Sequence, residues 1–300
     1  MKPSRRLARP TRSLIVGLAA LVAAPWLATA PTGCTVNPAT GERVVNFIST
    51  EQELAIGEEA APQFLEQGGG HIPDTQIQQY VSDIGQRLAK LSERPDLDWK
   101  FHTLDSAIIN AFALPGGKVF ITRGLLEKMD NEAQLAGVLG HEIGHVTAIH
   151  INQRLTQQAI AQGVIAGIGA AASDSDYANL IVAGASVGSQ LYMLSFSREQ
   201  EHQSDTLGLR YMTRAGYDPR GQVQVMRILK AASGGGGVEF LQTHPLPQSR
   251  IDQLEQHIAS KYDYTLNNPK FGLYPDRFKQ NVLDRFDKLP PPEQPANEPQ

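Results

Sequence analysis

His141-Glu142-Ile143-Gly144-His145 lies near the end of the run Asn131-EAQLAGVLGHEIGHVTAIH-Ile151, and how that run is read decides the fold. It carries Leu135, Val138, Leu139 and Ile143 without a proline, so the pattern predicts one helix over the whole stretch, capped by Asp130 or Asn131. Side chains four apart lie about 40° from one another around a helix, so His141 and His145 share a face. Two neutral imidazoles at that spacing can hold one Zn²⁺. Glu142, about 100° further round, is badly placed as a ligand but can reach a metal-bound water as general base. The bland alternative is an ordinary helix with two surface histidines. It would leave two imidazoles and a carboxylate without partners in an apolar helix.

A zinc site that does chemistry needs a third protein ligand and an open position. Phe196-Ser-Arg-Glu-Gln-Glu-His-Gln-Ser-Asp205 opens a second helix, continued by Leu207, Leu209, Tyr211 and Met212. Glu201 and Asp205 are four apart and share a face. A carboxylate there can supply the third ligand, and Asp205 can accept from the far ring nitrogen of His141. Taken alone, Glu201 reads better as part of a solvated acidic face, and His202 beside it competes as a ligand.

Two helices come earlier. One follows a Ser49 or Thr50 cap and stops at Gln67-Gly-Gly-Gly70; the other follows Asp74 or Thr75 and carries Ile77, Tyr80, Val81, Ile84, Leu88 and Leu91. Trp99-Lys-Phe-His-Thr-Leu104 alternates as a strand, with His102 on its polar face. Ile108 to Leu114 and Lys118 to Thr122 flank Pro115-Gly116-Gly117, which reads as strand, tight turn, strand.

Four stretches resemble one family: Asn110-AFALPGGKVFITRGLL-Glu127, Glu132-AQLAGVLGHEIGHV-Thr147, Ser197-Arg198-x-x-Glu201-x-x-x-Asp205 and Thr243-His244-Pro245-x-x-x-x-Arg250-Ile251. The chain looks like a gluzincin metallopeptidase. Within that group it is similar to the family of CAAX prenyl endopeptidases, bacterial membrane heat-shock proteases and periplasmic proteases of outer-membrane quality control. The likeness runs from about residue 46 to 260. It implies an α+β fold: a mostly helical zincin-like domain with a small β-hairpin beside the metal-binding helix. It implies one Zn²⁺ held by His141, His145 and Glu201, with Glu142 as base and Asp205 behind the metal. It brings His244 near the zinc, either stabilising the oxyanion or capping the open position, and has Arg250 orient that loop or pair with a carboxylate. It puts an extended peptide substrate along Asn110, Ala111, Phe112 and Ala113.

Two departures stand out. Ser204 replaces the alanine that commonly precedes the aspartate, and Ile149 replaces an arginine before His150. On a continuous helix His150, nine residues from His141, points to the opposite side and reads as structural.

Composition limits the rest. At 300 residues with 41% hydrophobic and 19% charged, the chain can bury a sizeable core. Residues 1–33 resemble an export signal: Lys2, Arg5, Arg6, Arg9 and Arg12, then an apolar run from Leu14 to Ala24, then Ala28-Thr29-Ala30. A retained anchor is the alternative, against which Pro25 and the short run argue. Removing that segment takes the formal charge from -4 to -9, which argues against nucleic acid and anionic lipid as partners. Cys34 is the lone cysteine, so it has no partner for an internal disulfide; Gly33-Cys34 resembles a lipoprotein processing site and a membrane attachment through lipid. By the same resemblance, Thr35 after it directs sorting to the outer membrane.

The expected organisation is an export signal over 1–33, a polar tether over 34–45 with lipidated Cys34, a metallopeptidase domain over 46–265, an extension over 266–287 and a disordered proline-rich tail over 288–300. Residues 155–194, rich in Ala, Gly, Ile and Val, read as a buried helical hairpin or as a mobile or membrane-facing cover near the metal. The expected activity is hydrolysis of peptide bonds in misfolded or misassembled envelope proteins in the periplasm, with assembly-machinery partners. The rival is a chaperone-like client-binding factor whose zinc is structural or latent, with His244 as fourth ligand. A membrane-embedded prenyl protease is disfavoured, because no long apolar span follows residue 34.

Overall fold

The computed structural model describes residues 33–161, 195–233, 238–245 and 248–292. At the N-terminal end, β1 (Cys34–Val36) pairs antiparallel with β2 (Arg43–Val45). The stretch expected as a tether is thus a hairpin. Its turn is closed by Asn37 N–H on Glu42 O and Gly41 N–H on Asn37 O, both at 2.8 Å, with Gly41 in the left-handed region that suits glycine.

Helix α1 (Thr50–Gln67) begins at a capping box between Ser49 and Gln52. Helix α2 (Thr75–Ala89) is capped by Asp74 and buries Ile77, Val81, Ile84 and Leu88 as one stripe. Three strands follow, β3 (Lys100–Leu104), β4 (Ala111–Leu114) and β5 (Lys118–Thr122), in the order β3-β5-β4. β5 is buried along its whole length, runs parallel to β3 and pairs antiparallel with β4. The hairpin strand starts at Ala111 rather than Ile108. Thr122 N–H still bonds Asn110 O at 3.0 Å, but the Asn110 N–H turns to the Thr122 hydroxyl, which in turn donates toward Ile108 O, so the ladder stops there. Among the described residues, β4 lies at the edge of the sheet.

After a short α3 (Arg123–Leu126), α4 (Glu132–Thr147) starts at Asn131 and is buried at every position. It ends at Thr147, four residues short of the expected end. Ile149 takes φ +52°, and α5 (His150–Ala161) sets off as a separate helix. A β-branched residue in that region is strained, so the sequence carries no signal for the break. Of the stretch 155–194, residues 155–161 belong to α5, and residues 162–194 lie outside the described residues.

Across α4 packs α6 (Arg198–Arg214). A Cβ on Gly140 would come within 3.1 Å of Gly208 Cα, and one on Gly144 within 3.1 Å of Ser204 Cα. The bare glycine backbone therefore lets the two helices approach closely enough for one side chain from each to meet at a single point. Helix α7 (Arg220–Ala232) also packs on α4, and the short α8 (Phe240–Thr243) leads into α9 (Gln248–Lys261).

Residues 266–287 pack onto the domain. In α10 (Pro275–Phe278), a π-turn over Lys279–Leu283 and α11 (Asp284–Phe286), Phe278, Val282 and Phe286 are buried. Arg277 pairs with the buried Glu132 at the start of α4, which also accepts from Tyr80 at 2.6 Å and Tyr217 at 2.7 Å. Arg285 pairs with the α2 cap Asp74 at 2.6 Å. Of the proline-rich tail over 288–300, residues 288–292 are described, and Pro290 O accepts from Arg123 at 2.7 Å; residues 293–300 lie outside the described residues. No helix among the described residues is long and apolar enough to cross a membrane.

Candidate metal centre

The α4 face predicted to carry two imidazoles does so. His141 Nε2 and His145 Nε2 stand 3.0 Å apart, and both are buried. From α6, Glu201 reaches the same point, with Oε2 3.6 Å from His141 Nε2 and Oε1 3.4 Å from His145 Nε2. His244, in the turn after α8, completes the group: its Nδ1 is 3.3 Å from His141 Nε2 and 2.9 Å from Glu201 Oε1. One donor atom from each of these four residues lies within 4.8 Å of the others. Around a tetrahedral zinc, neighbouring N and O donors stand about 3.3 Å apart, given bonds of about 2.0–2.1 Å. The observed spacings bracket that value. Three imidazole nitrogens facing one another also cannot all be satisfied by hydrogen bonds, since each bond needs one donor and one acceptor. The residues present fit a zinc ion.

His202, the competing ligand, is not among the converging donors. His102 is on β3, hydrogen-bonded to His71 at 3.0 Å and stacked on Phe120 at 4.7 Å, and takes no part.

The charged groups behind the ligands are tightly ordered. Asp205 Oδ1 lies 3.0 Å from His141 Nδ1, the far nitrogen, as expected for a carboxylate that orients a ligand. Arg250 takes both roles the sequence offered. It pairs with Asp205 and Glu201, and its Nη1 donates to Pro245 O at 2.9 Å, holding the His244 turn. Burial alone would raise the Glu201 carboxyl, but the charges of His244 and Arg250 and the hydrogen bonds from His145 and His244 hold it well below the usual range. Burial pushes the His145 imidazole well below its usual range. For His244, burial is outweighed by the Glu201 and Glu142 carboxylates, which raise it.

Glu142 is buried, with Oε1 3.7 Å from His244 Nε2 and no hydrogen-bond partner for that oxygen. Burial raises its carboxyl above the ordinary range, against the pull of His244 and His141. A buried carboxylate oxygen without a partner beside a metal site is suited to taking a proton.

The proposed substrate positions lie on β4, with Ala111 buried and Phe112 and Ala113 partly so. Asn110, just before it, donates to Glu239 at 3.4 Å, and Phe240 N–H donates to Ile109 O at 3.3 Å. The segment carrying His244 is thus tied to the start of that edge strand. Two further aromatic rings wall the imidazoles: Phe196 lies 3.9 Å from the His145 ring centre, and Phe240 stacks on His244 at 4.5 Å.

Sequence reasoning missed His150, because it assumed an unbroken helix. The turn at Ile149 swings its Nδ1 to 3.1 Å from His145 Nδ1. It also missed Gly140, Gly144 and Gly208; three- and four-residue spacing of Gly137, Gly140 and Gly144 was the available signal for a close helix contact.

Residues 75–258 match the sequence pattern of peptidase family M48. The chain is similar to a beta-barrel assembly-enhancing protease of Yersinia pestis, 29% identical over 270 residues that cover 84% of this chain and 55% of that protein. The protein of that name in Escherichia coli K12 is 30% identical over 267 residues, with the same 84% and 55% covered. A mitochondrial metalloendopeptidase OMA1 of Schizosaccharomyces pombe is 30% identical over 231 residues, 73% of this chain and 65% of that one. The chain spans only about half the length of the first two relatives, 55% of each.

Proposed function

From the premise that the chain belongs to peptidase family M48, we propose that it is a zinc-dependent metalloendopeptidase acting on envelope proteins. The observation that carries this is the convergence of His141, His145 and Glu201 on one point with the Glu142 carboxylate beside it. Zinc, when bound there, supplies the Lewis acidity that polarises the scissile carbonyl and activates water. Glu142 takes the proton from the attacking water and returns it to the leaving amine. Asp205 and Arg250 hold His141 and Glu201 in place. The strand β4, last in the sheet order among the described residues, pairs with an extended peptide through backbone bonds around Asn110 to Ala113, which tolerate many sequences. The relatives' names concern β-barrel assembly, and that role is carried here to misfolded or misassembled envelope proteins as clients. With an export signal over 1–33 and a lipid on Cys34, which is exposed at the start of β1, the work would be done in the periplasm at the outer membrane.

A second reading has its own observation. His244 Nδ1 sits where a fourth ligand would, and a catalytic zinc keeps that position open. This favours a latent site that holds clients and cuts only once His244 moves aside. The test is cleavage of unfolded casein by the purified full chain. Cleavage that a chelator stops, zinc restores and Glu142→Gln abolishes supports the peptidase. Binding of casein without cleavage by either wild type or His244→Ala would leave the client-holding reading and sink the peptidase.

A further inference from the structure

His145 presents only Nε2 to the metal group; its other nitrogen faces His150. A metal-bound imidazole usually gives its second N–H to a carboxylate, a carbonyl or water. Here the neighbour is another imidazole, which can accept only if its own Nδ1 is bare. The structure contains a line of bonds that makes it so.

The line starts from a backbone amide. Ala39 N–H donates to Asn37 Oδ1 at 2.9 Å, and a backbone N–H can only donate, so the orientation of the Asn37 amide is set. Its Nδ2 then points at Gln203, 3.4 Å away, where an amide nitrogen needs an oxygen opposite: Gln203 Oε1. That same oxygen lies 2.6 Å from His150 Nε2 and can only accept, so Nε2 carries the His150 proton. His150 Nδ1 is left as an acceptor. It accepts the hydrogen bond of His145 Nδ1–H at 3.1 Å, and the hydroxyl of Ser204 stands 3.3 Å from the same atom. With its proton committed there, His145 keeps a bare Nε2 for the metal. Asn37, His150 and Ser204 are buried and Gln203 is partly so, which shields the His150–His145 end of the line from water. Ser204, the departure from the family's alanine, brings a hydroxyl to His150 Nδ1 where alanine would bring none.

Resting on the reading of the site as a zinc site, we infer that Asn37, Gln203 and His150 form a positioning relay that sets the tautomer and aim of the zinc ligand His145. The N-terminal hairpin thereby becomes part of the metal site. None of the three touches the reacting atoms.

The test is zinc affinity of the full chain, measured by competition with a chromophoric chelator, together with melting of the metal-free protein. His150→Phe removes the acceptor and is expected to weaken zinc binding about 10–100-fold. His150→Asn places an amide oxygen where Nδ1 stood and should restore affinity to within a few-fold of wild type. Gln203→Met keeps the volume at a partly buried position and removes the oxygen. It should weaken zinc binding with little change in metal-free melting, and ¹H–¹⁵N spectra of the zinc-loaded protein should show the Nε2–H form of His150 giving way to a mixture. Wild-type zinc binding with undiminished affinity in both His150→Phe and Gln203→Met would overturn the relay alone. Equal losses in His150→Asn and His150→Phe would reduce His150 to packing and overturn it too. Failure of the wild type to bind zinc overturns the reading of the site itself.

Discussion

Arg250 holds Asp205 with two bonds, Nε to Oδ2 at 2.8 Å and Nη2 to Oδ1 at 2.7 Å, with both side chains buried. The same guanidinium reaches Glu201 and the Pro245 carbonyl. One cation therefore neutralises a ligand and the carboxylate behind another, and anchors the His244 turn. Burial opposes its charge, but Asp205 and Glu201 more than offset this and raise its pKa. Arg250→Leu leaves two buried carboxylates without their shared cation, and breaking a buried pair this way costs about 3–5 kcal/mol. Arg250→Lys keeps the charge but cannot reproduce the fork, so it should recover only part of that. Urea unfolding of the metal-free variants measures both, and a Leu variant as stable as wild type would remove Arg250 from this role.

Glu142→Gln preserves shape and removes the base. Zinc content by elemental analysis should be unchanged, while kcat falls about 10²–10⁴-fold, the usual contribution of one acid–base group. Full activity in that variant would transfer the proton step to another residue. Glu201→Ala should instead lower bound zinc; unchanged stoichiometry would mean that His141, His145 and His244 hold the metal without it.

The α4–α6 contact makes a different prediction. Gly208 sits with its own virtual Cβ 3.0 Å from the His141 backbone nitrogen. Gly208→Ala must push the helices apart, and overpacking of this kind costs about 1–3 kcal/mol. Because His141 and Glu201 belong to the separated helices, zinc affinity should fall as well. Gly221→Ala, also crowded but on α7 against Ala133, serves as the control, with lost stability and little change in zinc affinity.

Most of the site was legible because it is periodic. His141 and His145 declare themselves by four-residue spacing on an apolar helix, and Asn131, Asp74 and Ser49 cap where their side chains predict. Glu201 was legible only through the family likeness, since an acidic i,i+4 pair is common on solvated helices. His150 was hidden by Ile149, whose strained φ is imposed by tertiary packing against its own preference. The ordered C-terminal segment was equally hidden. Its apolar residues Phe278, Val282 and Phe286 fall on a π-turn, where helical spacing does not apply, and its docking depends on Arg277 and Arg285 meeting Glu132 and Asp74 far away in sequence.

The buried His150 also predicts how the metal-free chain responds to acid. Burial drives its pKa from 6.5 down to about 4, outweighing the bond to Gln203. Between those values the unfolded chain binds the proton and the native chain does not, so stability rises with pH across the window. The stabilisation is fully present above the unfolded pKa and is lost as pH falls toward about 4; one group shifted this far contributes about 3 kcal/mol. Burial shifts His145 in the same direction, whereas His244, raised by Glu201 and Glu142, contributes stability that disappears as pH rises through its folded pKa. Subtracting His150→Asn from wild type removes these common contributions. Denaturant unfolding from pH 7 to pH 4.5 in the presence of a chelator should therefore show a shallower pH slope in the variant, and identical slopes would mean that His150 accepts a proton in the folded chain as readily as in the unfolded one.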